Sequence, residues 1–122
     1  IARSRFRLQP PQTCENEFLV AHIARHSIDR IDDGFVWKFD EELNARMTAT
    51  GDLEDDFKAI TGPLALIYGA DSASFSEKSA AHMKSLNDAL EVEALADAQH
   101  HLFLDQPQAF MDSLSAILAR WA

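Results

Sequence analysis

The stretch "GPLALIYGADSASFS", Gly62–Ser76, decides how this chain is read. Gly62 and Pro63 break whatever precedes them, and Leu64–Gly69 then runs unbroken and apolar to a glycine. So short a run, bounded by breakers, suits a strand buried on both faces, as in a parallel sheet. Ser74 and Glu77 follow at capping-box spacing and predict a helix to about Asn87. "LEVEAL", Leu90–Leu95, is a second strand candidate. The next stretch, "DAQHHLFLDQPQAF", Asp97–Phe110, sets two histidines side by side ahead of an apolar run. Pro107 suits the first turn of a last helix, along which Phe110, Leu114, Ile117, Leu118 and Trp121 form an apolar stripe.

Upstream of Gly62 the pattern is more helical. Asp52 reads as an N-cap, with Leu53, Phe57 and Ile60 on one face, and "TGP" at 61–63 ends that helix. "TATGD", 48–52, reads as a turn, and "DEELNARM", 40–47, as a weakly patterned helix. "FVWKF", Phe35–Phe39, alternates large apolar residues and fits a short strand or an extended lid segment. A helix is expected from about Glu15 to about Ile31, with Leu19, Ile23 and Ile31 on one face and Val20, Ala24 and Ile28 beside them. "DDG", 32–34, closes it with a turn. Residues 1–14 read as an extended arm, because Pro10 and Pro11 stop a helix from running through.

From the helix before Gly62 onward the order is helix, strand, helix, strand, helix, which is the pattern of parallel α/β architecture. Two strands alone make a poor sheet, since three or more are usually needed for independent stability.

The bulk composition narrows the function classes. With 122 residues, 47% hydrophobic and 25% charged, the chain is that of one folded domain rather than a disordered one. A net charge of −9 argues against nucleic-acid binding, whose affinity comes mainly from phosphate neutralisation. Arg3, Arg5 and Arg7 make a local basic cluster that reads more simply as a solvated terminus. The single cysteine, Cys14, excludes an internal disulfide and fits a reducing, cytoplasmic compartment. It has no neighbouring sequence cue for a lowered pKa, so it is not a candidate nucleophile. No apolar run approaches the ~20 residues a membrane span needs. The first residue is Ile rather than Met, so the expectation is that either a leading segment was removed or the chain is a piece of a longer one.

In open α/β sheets, ligands bind at the carboxyl ends of the strands. "YGADSASFS" follows the first strand and "ADAQHH" the second, so Asp71, Ser72, His100 and His101 should lie along one edge. A carboxylate and a histidine there fit the orienting pair of a nucleophilic hydrolase. The plainer readings are a solvent-exposed loop histidine and a turn aspartate bonded to its own backbone. His22 and His26 lie four apart and can face one way on a helix. Two ligands without an H-E-x-x-H frame are too few for a metal site, and no metal or cofactor is expected.

At these residues the sequence resembles the C-terminal part of an α/β-hydrolase. The resemblance rests on "GPLALIYGADSASFS" followed by "VEALADAQHHLFLDQPQAFMDSLSAIL", Val92–Leu118, and covers roughly residues 60–122. "ENEFLVAHIARHSIDRIDDGFVWKFDEEL", Glu15–Leu43, is similar, less specifically, to helical cap segments of many members. The family pattern sets the histidine five positions before the acidic residue of "LDQP", Asp105, which makes His100 the implied catalytic base and His101 a pocket-shaping neighbour. His100 would take the proton from the nucleophile and later activate water. The family's carboxylate stands three residues after the strand-ending glycine. That position is Ser72, so Asp71, one place early, is the candidate acid, the alternative being an acid on a strand before Ile1. The G-x-S-x-G elbow is absent from these 122 residues, so the chain alone should not catalyse acyl transfer.

The resemblance therefore implies an α/β fold: an arm over 1–14, a helical cap or lid over 15–60, and over 61–122 two parallel core strands with flanking helices. Phe35, Trp37 and His101 would contact a small-molecule ester or similar substrate. The missing N-terminal half of the fold, or a dimer mate, would cover the apolar strands. The competing expectation is a small acidic α/β interaction module without catalysis, neither membrane-bound nor nucleic-acid-binding.

Overall fold

A helix, a hairpin and a short helix come first in the computed structural model, which describes residues 5–40, 42–46 and 53–122. The expected N-cap at Asp52, the turn at 48–52 and Arg3 of the basic cluster lie outside the described residues. The chain divides into two compact units, Ile1–Gly51 and Asp52–Ala122.

In the first unit, α1 spans Glu17–His26. Ser27 ends it: its N–H donates to Ile23 O at 2.9 Å and its hydroxyl to the same carbonyl at 2.8 Å. The helix expected to reach Ile31 therefore stops five residues sooner. Ile28–Ile31 is strand β1, antiparallel to β2, Gly34–Trp37, with Ile31 opposite Gly34 and Ile28 opposite Trp37. The β-branched isoleucines suit a strand, and Asp32-Asp33 forms the turn. Gly34 takes φ +148°, a conformation open to glycine and not to side-chain-bearing residues. Of the two readings of "FVWKF", the strand is the observed one. The Trp37 ring stacks on Phe39, centroids 6.1 Å apart, and meets Phe6 at 6.3 Å, so the arm folds back onto the hairpin. A short helix α2 spans Leu43–Arg46.

The second unit opens with α3, Leu53–Lys58, which ends before Ile60. Asn87, a buried residue, ties the exit of α3 down: its amide donates to Phe57 O at 3.3 Å and Ile60 O at 3.0 Å. β3, Leu64–Gly69, lies parallel to β4, Leu90–Leu95, in register Leu64 to Leu90 through Gly69 to Leu95. Between them α4 spans Glu77–Leu86, capped by Ser76, whose oxygen accepts from Ser79 N at 3.2 Å. The expected cap, Ser74, instead donates its backbone N–H to Ser72 Oγ. α5, Leu102–Asp105, is a single turn that the apolar run did not announce, and α6, Pro107–Trp121, closes the chain with Pro in its first turn.

The core of this unit is small: Ala80, Leu90, Ala98, Leu104 and Ile117 are each at most 3% exposed. Leu64–Ile67 of β3 are half-buried rather than covered on both faces, and Val92 on β4 is 41% exposed. Among the described residues no helix is long and apolar enough to cross a membrane.

Candidate active site at the carboxyl edge of the parallel strands

Two loops leave the same end of β3 and β4, and backbone hydrogen bonds fasten them together. Ala70 N–H donates to Leu95 O and Asp71 N–H to Ala98 O, both at 2.9 Å. The loops approach so closely that a Cβ on Gly69 would overlap the carbonyl oxygens of Gln99 and Ala98. Glycine at the strand end is thus required by packing, although its φ is ordinary.

The loop after β4 begins with Asp97 at φ +53°, a left-handed conformation that Asp tolerates better than most residues. Asp105, at the end of α5, accepts the backbone N–H of Gln99 at 2.7 Å. Gln106 Nε2 donates to Asp97 O at 3.1 Å. The residues that set the register of the histidine in sequence therefore hold its loop in space.

With both loops fixed, His100 Nδ1 lies 3.4 Å from Ser72 Oγ. The same oxygen accepts the N–H groups of Ser74 at 3.3 Å and Phe75 at 3.2 Å. Asp71 is exposed, and the side chain that faces His100 from this turn is that of Ser72. His101 stands edge-on to His100, ring centroids 5.4 Å apart, and edge-on to Phe103 at 6.4 Å. Leu66, Tyr68, Ser72, Phe75, His100 and Leu102 line an open concavity of about 270 Å³. Tyr68 and Phe75 pack their rings there, centroids 5.3 Å apart.

Sequence reasoning brought Asp71, Ser72, His100 and His101 to one edge, and all four lie on the two loops described. It did not foresee that Ser72 would be the contact, although the spacing from Gly69 named that position. Phe35 and Trp37 belong to β2 in the first unit, where Phe35 is 60% exposed. Trp37 lines a separate concavity of about 500 Å³ with Phe6, Gln9, Ser27 and Phe39. The rings of His22 and His26 lie 4.4 Å apart. Among the described residues no group of three or more His, Cys, Asp or Glu could hold a metal ion.

No family model and no curated protein matches the chain. Solved structures do. E-2-(acetamidomethylene)succinate hydrolase matches with TM-score 0.68 at 17% identity, over 82% of this chain and 38% of that one. An esterase from Mycobacterium tuberculosis matches with TM-score 0.67 at 24% identity, over 82% and 36%. A thioesterase domain from the curacin biosynthetic pathway matches with TM-score 0.61 at 22% identity, over 84% and 36%. The chain thus spans little more than a third of the length of the structures it resembles.

Proposed function

We propose that this chain, which has the fold of the C-terminal part of an α/β-hydrolase, carries the catalytic histidine of such an enzyme, and that this residue is His100. One observation supports the assignment above the others: Nδ1 of His100 is turned toward the loop that ends β3, 3.4 Å from Ser72. In a nucleophile–histidine–acid triad Nδ1 faces the acid and Nε2 the nucleophile. The Nδ1 edge of His100 is turned to the loop from which an acid would be expected, which supports this reading. The neighbours act on esters, thioesters and related compounds by their names, so the substrate class proposed is a small ester or a similar acyl compound.

The remaining roles follow the same reading. The nucleophile and its oxyanion hole come from a part of the fold outside these 122 residues, because no G-x-S-x-G occurs in them. Without that part the chain is inactive in acyl transfer. The acid is Asp71 or a carboxylate from that same outside part, and the contact made by Ser72 favours the second source. Residues 61–122 form the core portion, 15–60 a cap or lid and 1–14 an arm, with Phe35, Trp37 and His101 as substrate contacts. The half-buried residues of β3 and the exposed Val92 of β4 would be covered by the rest of the fold or by a dimer mate. A cytoplasmic setting agrees with the lone Cys14.

The half-open strands also favour a second reading, a non-catalytic acidic interaction module. Replacement separates the two. In the longest natural form of the protein, H100A should lower hydrolysis of a short-chain p-nitrophenyl ester by about 10³-fold or more. Unchanged turnover would remove the assignment.

A further inference from the structure

Ser72 Oγ stands within hydrogen-bonding distance of three nitrogens. Two are backbone amides, Ser74 N at 3.3 Å and Phe75 N at 3.2 Å; the third is His100 Nδ1 at 3.4 Å. A hydroxyl has two lone pairs and one proton. A backbone N–H can only donate, so the two amides take both lone pairs. What the hydroxyl has left for Nδ1 is its proton.

We propose that Ser72 donates its hydroxyl proton to His100 Nδ1 and is a positioning residue that keeps the neutral imidazole protonated at Nε2. The reverse arrangement, Nδ1–H donating to Ser72, would ask one oxygen to accept three hydrogen bonds with two lone pairs. The consequence is functional. The Nε2 edge, which a general base must present unprotonated to a nucleophile, is held as a donor for as long as Ser72 is the partner of Nδ1, and a carboxylate reaching Nδ1 from outside these residues would release it. A carboxylate at position 72 would act in the opposite sense. It only accepts, so it would draw the proton to Nδ1 and free Nε2. Asp makes the same local turn as Ser, accepting from backbone amides two and three residues on, so S72D suits the backbone already present. The catalytic meaning of this inference rests on the reading of His100 given above; the tautomer itself does not.

The test is a long-range proton–nitrogen correlation spectrum of the uniformly ¹⁵N-labelled 122-residue chain at alkaline pH, where imidazole is neutral. The His100 signals are assigned by their loss in H100Q. An unconstrained neutral imidazole already leans toward Nε2–H, so the variants decide. Wild type should show an unprotonated Nδ1. S72A should move both ring nitrogens toward the values of a tautomer mixture, S72T should keep the wild-type values, and S72D should protonate Nδ1. A protonated Nδ1 in wild type, identical spectra for wild type and S72A, or a mixed tautomer in S72T would each overturn the proposal. Loss of turnover in H100A alongside any of those results would overturn this inference alone. An active H100A alongside the expected shifts would overturn only the catalytic assignment.

Discussion

Ser72 Oγ and His100 Nδ1 face each other at 3.4 Å across 28 residues of sequence, and backbone contacts bring them there. The bonds from Ala70 to Leu95 and from Asp71 to Ala98 tie the two loops together before either side chain is placed. The pair is therefore a property of how β3 and β4 end. Each step in that arrangement can be perturbed separately.

Gly69 is the closest point of approach. The atoms that a Cβ would meet are backbone carbonyls, which cannot rotate away as a side chain can. G69A should destabilise the second unit by about 1–3 kcal/mol, the usual range for overpacking. It should also displace the His100 resonances more than those of α4. A urea midpoint equal to wild type would show that the loops can part without loss.

Asp105 holds the histidine loop from the other side through Gln99 N. A charge-assisted hydrogen bond of this kind contributes about 1.5–3 kcal/mol. D105A should lower stability by an amount of that order. In the longer enzyme it should also reduce turnover, because His100 stands on the loop that this bond anchors. Unchanged stability in D105A would contradict this role.

Glu91 on β4 accepts from Arg120 and from Trp121 Nε1 on α6, the latter at 3.2 Å. These hydrogen bonds, that to Arg120 foremost, hold its carboxyl below the usual carboxylate range. A carboxyl with a lowered folded-state pKa stabilises the fold above its unfolded pKa, and that contribution disappears as pH falls through the folded value. The group is fully exposed, so the effect is small and screened by salt. The difference in urea midpoint between wild type and E91Q should be present at neutral pH and close on acidification below the ordinary carboxylate range. A difference independent of pH would contradict the pairing.

Much of the second unit was legible because its signals are local and agree with one another. Leu64–Gly69 and Leu90–Leu95 are strands over the expected residues, and Pro107 opens α6 as a proline in a first turn should. The cap of α4 was displaced by two residues. Ser74-x-x-Glu77 matches the capping pattern, yet the Ser74 amide is drawn to Ser72 and the cap passes to Ser76. Strand β1 differs from the expected helix because Ile31 continues the helical spacing of Leu19 and Ile23, and Ile28 that of Val20 and Ala24. The signals against a helix were the β-branched residues and the turn at Asp32-Asp33 before Gly34, and tertiary pairing gave them the greater weight. α5 spans one turn, too short for periodicity to register. At the site, the resemblance singles out His100, and the family's spacing from Gly69 falls on Ser72, whose hydroxyl lies 3.4 Å from His100 Nδ1. The preference for Asp71 came from chemistry expected of an acid, not from the distance between the loops.

The most direct test of the account is the intact mass of the protein isolated from its natural source, with peptide sequencing of the same material. The account predicts a mass well above that of these 122 residues, with peptides upstream of Ile1 that include a G-x-S-x-G elbow. A mass equal to that of these residues alone would contradict it, since His100 would then have no nucleophile of its own chain to serve.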